Sequence, residues 1–259
     1  MSDAMRSRMS EVVDSRRIKR LYYPVPCPEN PLDKRRNDSV VRIGYVGRLW
    51  HSEKRILDFI PLLKELERLE VPYEFVFIGD GPDRGELEGG VRRELSAPDA
   101  IRFTGWISPE RVNEEVANLD ILVMLSEVEG QPIALLEAMA LGAVPVVTSL
   151  PGMQELITDG VNGFLLPIGA PAVAARRIEC LANDPARRAE MSREASKRVA
   201  SIHATPKATA HLATIMTELT EATPVTPREL KYPPGRPSGW HVPVVAQSAI
   251  RRLWGRELY

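Results

Sequence analysis

The chain has 259 residues, 44% of them hydrophobic, and its 34 basic and 35 acidic side chains give a net charge of −1. That suffices for one ordinary α/β core with appendages. Residues 1–38 hold nine Lys/Arg against six Asp/Glu and residues 224–259 six against two, which leaves 19 basic and 27 acidic residues between them. Positive charge confined to the extremities speaks against nucleic acid as the partner and suits anionic lipid or an acidic protein surface.

From the N-terminus, Val40 to Val46 is an apolar, β-branched run that reads as a buried strand ending in Gly47-Arg48. Further strands are expected near 73–79, 101–104, 120–125, 144–148 and 163–166. Helices are expected between them near 53–70, 83–96, 109–118, 132–141 and 152–159. Ser52 is a candidate N-cap for the first of these, with Lys54 near its start. Pro61 should kink that helix and Gly89-Gly90 should weaken the next. Ser108-Pro109 is a good helix opening. Two helices near 170–183 and 185–202 follow, then a third near 207–221. Pro224 to Pro243 carries six prolines and reads as an extended tether. Val244 to Leu258 regains apolar character with Arg251, Arg252 and Arg256 interspersed. It reads either as an interfacial membrane helix or, preferably, as a helix docked on its own domain or a neighbour.

Repeated βα units of this length imply a parallel, doubly wound sheet, whose ligands bind beyond the carboxyl ends of the strands. Gly47-Arg48, Gly79 to Pro82, Gly105-Trp106, Ser126 to Gly130 and Ser149 to Gly152 all fall at such ends. Cys27 and Cys180 lie far apart, outside any metal-like spacing, and fit reduced thiols in a cytosolic setting. No stretch approaches the roughly 20 apolar residues of a membrane span, and no apolar signal core opens the chain.

The chemistry concentrates at two places. Glu129 and Glu137 bracket the segment Glu129-Gly130-Gln131-Pro132-Ile133-Ala134-Leu135-Leu136-Glu137. Pro132 suits the first position of a helix that Gly142 ends, so Glu129 sits on the preceding loop and Glu137 about a turn and a half inside. The helix N-terminus between them offers free N–H groups to an anion or a sugar hydroxyl. Upstream, Arg48 supplies planar bidentate donors and Lys54 a mobile point charge, a suitable cradle for a diphosphate. His51 reads as a surface residue.

These residues together resemble the donor half of retaining glycosyltransferases of the GT-B fold, family four. The match runs through Gly44-Tyr45-Val46-Gly47-Arg48-Leu49, Glu53-Lys54-Arg55, Phe77-Ile78-Gly79-Asp80-Gly81-Pro82 and Ile101-Arg102-Phe103-Thr104-Gly105-Trp106. It continues through Asp120 to Ser126, the Glu129 to Gly142 block, Pro145-Val146-Val147 and Glu155 to Gly163. The resemblance implies a Rossmann-like nucleotide-sugar-binding domain over 39–204, a packing helix over 205–223, and the tether and amphipathic helix over 224–259. Met1 to Arg6 resembles the end of the family's N-terminal domain and Ile18 to Pro26 its interdomain linker. Residues 1–38 are therefore expected to be a remnant of an acceptor domain otherwise absent, so that the chain is either a fragment or early-truncated product or works beside another chain.

The resemblance also implies a mechanism. A UDP-, GDP- or ADP-sugar would lose its diphosphate to Arg48 and Lys54 without a metal, there being no Asp-x-Asp sequence, and no cofactor would be needed. Glu129 would meet donor-sugar hydroxyls beside the backbone of Gly130, Gln131 and Ile133. Glu137 would accept from both ribose hydroxyls, with Gly47 at the diphosphate and the base near Gly105 and Trp106. Gln131-Pro132 departs from the commoner Phe-Gly and reads as donor specificity. The acceptor, whether glycan, lipid or small molecule, is open. The alternative is a nucleotide-sugar-binding module that lacks its acceptor domain and does not transfer. The implied location is cytoplasmic, at the inner membrane face if the terminal segment is interfacial.

Overall fold

A computed structural model describes residues 3–11, 18–28 and 40–221. The charged stretch 29–38, the tether and the terminal amphipathic segment lie outside the described residues. Six strands, β1 (Val41–Val46), β2 (Tyr73–Ile78), β3 (Ile101–Phe103), β4 (Ile121–Met124), β5 (Val144–Thr148) and β6 (Phe164–Leu166), form one sheet in the order β3-β2-β1-β4-β5-β6. Every pairing is parallel, with Val41 to Val46 registered on Tyr73 to Ile78 and Ile121 to Met124 on Val144 to Val147. This is the doubly wound arrangement expected from the βα alternation, and it reverses direction between β1 and β4.

Because both faces are covered, the strands are largely apolar rather than alternating, with charged side chains confined to Arg42, Glu74 and Arg102. Ile43, Tyr45, Phe75, Phe77, Val123, Val144 and Val146 face one layer, where α3 (Phe59–Arg68), α4 (Arg84–Glu94) and α8 (Pro171–Asn183) pack. Val76, Ile78, Leu122, Met124 and Val147 face the other, against α5 (Pro109–Ala117), α6 (Ile133–Ala140), α7 (Pro151–Gln154) and α9 (Pro185–His203). The first layer is aromatic: Phe59 lies 5.3 Å from Tyr45, 5.6 Å from Phe75 and 5.2 Å from Phe77, each pair edge-to-face. Such rings contribute about 2–3 kcal/mol each by burial alone.

Several helical expectations are corrected. The helix predicted over 53–70 is two helices, α2 (His51–Lys54) and α3, because Arg55 takes a left-handed φ of 49° and a 3₁₀ turn follows at Ile56–Asp58. Arg55 is held there by Asp58 at 2.8 Å and Glu127 at 3.1 Å. Ser52 is consequently not an N-cap: it lies inside α2, and Trp50 occupies the cap position without a side-chain bond. Pro61 falls in the first turn of α3, where its missing N–H has no intrahelical partner to lose, so no kink results. The Gly89-Gly90 pair leaves α4 continuous. A side chain at Gly90 would meet Ile60 Cδ1 at 2.3 Å, so glycine is what lets α3 and α4 touch.

The helix expected over 152–159 stops at Gln154. The Asn162 side chain takes the Thr158 N–H (2.7 Å) and donates to Leu156 O (3.0 Å), and Asp159 accepts from the Leu165 N–H (2.9 Å). These side chains capture backbone groups that a longer helix would need. Pro132 is the N-cap of α6 rather than its first helical residue, and Ile133 is 41% exposed instead of facing the core.

At the other end, α1 (Asp3–Ser10) precedes an extended segment pinned where α9 turns into α10 (Thr205–Glu221). Val25 bonds the backbone of His203 (2.8 Å) and Thr205 (3.2 Å). His203 Nδ1 donates to Tyr23 O at 2.9 Å, and His211 Nε2 lies 2.8 Å from Arg20 O. The Tyr22 ring sits 5.5 Å from the His203 ring and 4.9 Å from the His211 ring. Cys27 and Cys180 are free thiols. Among the described residues no helix is long and apolar enough to cross a membrane.

Candidate functional site

The crevice of a doubly wound sheet opens where the strand order reverses, and here that is between the carboxyl ends of β1 and β4. Gly47 follows β1 with φ 150° and donates its N–H to Ile78 O (3.0 Å), while Leu49 donates to Asp80 O (3.0 Å) and Asp83 to Leu49 O (3.1 Å). The loops after β1 and β2 are thereby laced together. A Cβ on Gly79 would stand 2.1 Å from Gly47 O, so the lacing tolerates no side chain there. Gly105 extends the row, pairing with Gly79 beyond the end of β3.

Within this frame Arg48 is exposed, and its guanidinium lies 4.7 Å from the Trp50 ring centroid, a cation–π contact. It has no carboxylate partner among the described residues. The Tyr45 hydroxyl donates to Arg48 O at 2.8 Å. Burial, and then the charge of Glu129, push the Tyr45 phenol above its ordinary range, so it stays protonated and a donor. His51 is not a surface residue: its N–H donates to Asp83 Oδ2 (2.6 Å) and its Nδ1 accepts from the Leu57 N–H (3.2 Å). It clasps α2 onto the loop after β2.

Lys54 closes α2, and its Nζ meets Glu129 Oε1 at 2.8 Å with the two side chains 21% and 9% exposed. The same oxygen accepts the Ser126 hydroxyl at 2.9 Å. Glu127 N–H donates to Glu53 O (2.9 Å), so α2 and the loop after β4 are tied by backbone as well as charge. Beyond that loop no side chain caps α6. Glu137, one turn into the helix, is half-buried, and burial pushes its carboxyl above the ordinary value. It has no ion-pair or hydrogen-bond partner among the described residues, so it is a desolvated carboxylate waiting for donors.

Lys54 and Glu129 are thus in direct contact, and Arg48 and Glu137 stand on the loop and helix either side of them. The Gly130 backbone lies against α7, where a Cβ on Gly152 would fall 1.5 Å from Gly130 O. Trp106 is 82% exposed with no ring contact to the site. Gln131 and Ile133 turn their side chains toward a 460 Å³ apolar cavity shared with Leu21, Tyr22, Tyr23 and Leu212. No group of three His, Cys, Asp or Glu able to hold a metal occurs among the described residues. Two residues that support the site, Trp50 and Thr148, escaped the motif reading, while Tyr45 and Ser126 stood within the quoted motifs without a role of their own.

Residues 29–198 match the family Glycosyl transferases group 1. The alpha-D-kanosaminyltransferase of Streptomyces kanamyceticus is 30% identical over 175 residues, which cover 68% of this chain and 45% of that protein. The chain spans less than half the length of the curated relatives it matches. Among solved structures, a mutant of S. aureus TarM in complex with Fondaparinux, alpha-GlcNAc-glycerol and UDP superposes with TM-score 0.73 at 18% identity, covering 83% of this chain and 42% of that one. Anabaena HepE in complex with UDP-glucose gives TM-score 0.61 at 22% identity, covering 70% and 49%. At these identities the structural likeness establishes the fold.

Proposed function

Since the chain belongs to the glycosyl transferases group 1 family, we propose that it is the donor-binding part of a glycosyltransferase, taking a nucleotide-diphosphate sugar in the crevice between β1 and β4. The observation that carries this reading is the pairing of two cations on the β1 side with two carboxylates on the β4 side, one of them desolvated and unpartnered. Arg48 and Lys54 would bind the diphosphate more tightly as the sugar leaves and negative charge grows on it, without help from a metal. Glu129 would receive donor-sugar hydroxyls, Glu137 the two ribose hydroxyls, and the uncapped start of α6 an anion or hydroxyl. Gly47, Gly130, Gln131 and Ile133 would approach the donor through their backbone, with Gly105 and Trp106 beside the base. UDP is the first nucleotide to test, because similarly folded proteins carry UDP or UDP-glucose. Transfer with retention, as in family four, would require acceptor-side groups facing this crevice.

A second reading, a nucleotide-sugar-binding module without transfer of its own, is supported by the same observation, because these cations and carboxylates would hold a donor whether or not transfer follows. Both readings require the site. Calorimetric titration with UDP, GDP and ADP should find one that binds, with affinity falling about 10–100-fold in Arg48→Ala and in Glu137→Ala, the loss of one or two charge-assisted hydrogen bonds. Absence of binding to all three, or unchanged affinity in both variants, removes both readings. If binding holds, transfer of the sugar from the bound donor to an added acceptor separates transferase from module.

A further inference from the structure

We propose that Ser126 is a positioning residue that orients Glu129 and thereby sets the preference for the intact nucleotide sugar over its nucleoside diphosphate. This rests on the donor-site reading above. Ser126 is fully buried, and its hydroxyl has one proton to give. It gives that proton to Glu129 Oε1 at 2.9 Å. The residue itself is fixed from behind, because Thr148, 1% exposed at the end of β5, donates its hydroxyl to Ser126 O at 2.6 Å. The chain Thr148–Ser126–Glu129–Lys54 therefore runs from the sheet into the crevice, each link within hydrogen-bond distance.

Two donors converge on Oε1, the Ser126 hydroxyl and the Lys54 ammonium, while Oε2 accepts none among the described residues. Oε2 is the oxygen left for a ligand hydroxyl. The terminal torsion of a glutamate is broad, so the ion pair with a flexible lysine stem does not by itself fix the plane of the carboxylate. A short buried hydroxyl with a single rotor does. The consequence is selective: a sugar hydroxyl feels the orientation of Glu129, whereas a diphosphate without its sugar offers that carboxylate no proton.

The test compares nucleotide and nucleotide sugar in the full chain by calorimetry, using UDP with UDP-glucose, GDP with GDP-mannose and ADP with ADP-glucose. In the pair that binds, the sugar should add affinity. Ser126→Ala should remove about tenfold of that increment while the diphosphate alone binds within twofold of the native protein. Ser126→Thr, which keeps the hydroxyl, should retain most of the increment. Glu129→Gln should lose a comparable increment, and the double variant Ser126→Ala/Glu129→Gln no more than Glu129→Gln alone. The proposal is overturned if Ser126→Ala weakens diphosphate and sugar conjugate in equal proportion, if it changes neither, or if the sugar adds nothing. Those outcomes leave the donor site standing, whereas failure of UDP, GDP and ADP alike to bind removes the donor site itself.

Discussion

Replacing Gly152 by Ala puts the backbone of the carboxylate loop under a load that can be read from the structure. The new Cβ would lie 1.5 Å from Gly130 O and 2.6 Å from Gly130 C. Neither atom is the end of a flexible side chain, so relief requires Pro151-Gly152 or Glu129-Gly130-Gln131 to move. A tolerable separation is about 3 Å, which demands a displacement of about 1.5 Å, larger than the roughly 1 Å that can cost a site two orders of magnitude. Gly152→Ala should therefore weaken nucleotide-sugar binding about 100-fold. The stability cost is that of overpacking at one point, about 1–3 kcal/mol, a fall of several degrees in Tm for a chain of this size. Gly85→Ala is the control. Nothing lies within 4 Å of its Cβ, and it occupies the first turn of α4, so the same chemical change should raise stability by up to about 0.5 kcal/mol and leave binding untouched. Calorimetric titration with UDP-glucose beside scanning fluorimetry reads both effects. Native binding and Tm in Gly152→Ala would refute the idea that the loop's place depends on this contact.

Three other perturbations follow from the electrostatics. Lys54→Ala removes a cation and leaves Glu129 uncompensated beside the diphosphate, so it should cost more UDP affinity than Arg48→Ala. Adding Glu129→Gln should restore part of the loss, and a purely additive double variant would contradict the pairing seen at 2.8 Å. Glu137 must be ionised to accept two ribose hydroxyls, and its pKa is raised. Affinity should therefore decline as pH falls through a value above the ordinary carboxylate range, and Glu137→Gln should bind weakly with no such decline. The same raised pKa means the native carboxyl holds a proton that the unfolded chain releases. Stability should then fall as pH rises through that window, and Glu137→Gln should be more stable than the native chain at pH 7. His203 shows the opposite case: burial lowers its pKa, its Nε2 is buried without a partner, and Arg20 and Arg198 are the charges near it. Unfolding should become easier as pH falls through the ordinary histidine range, because only the unfolded chain takes up the proton. His203→Gln, whose amide can still donate to Tyr23 O, should flatten that slope in denaturant titrations between pH 5.5 and 7.5.

The alternation of apolar runs with helical periodicity was enough to place all six strands to within a residue or two, because strands buried on both faces carry an unbroken apolar signal. Helix ends were read less well, and for a consistent reason. At Asp159 and Asn162 polar side chains take nearby backbone groups, and at Arg55 the guanidinium is held by Asp58 and by Glu127, which lies 72 residues along the chain. Gly89-Gly90 leaves α4 unbroken, and Gly90 packs so closely on Ile60 that a side chain there would collide with it. At the site, the charged residues and their strand-end positions were visible as motifs. Their supports were not: Ser126 and Thr148 become a pair only when β4 and β5 lie side by side.

The sequence distinguishes Arg48 and Lys54 only by side-chain chemistry, and the fold adds a difference in surroundings. Arg48 is unneutralised among the described residues and rests on Trp50, a soft partner that a phosphate can outcompete or share. Lys54 already has its charge matched by Glu129. An ammonium has three donors, and the contact with Oε1 uses one, so a diphosphate can take the others without breaking the pair. Under the proposed function Glu129 would then stay in place when the donor arrives, still held by Ser126, with its second oxygen available to the sugar. The lysine would have two tasks: to add charge at the leaving group, and to keep a carboxylate close to a diphosphate that would otherwise repel it. A lone cation at this position could perform only the first.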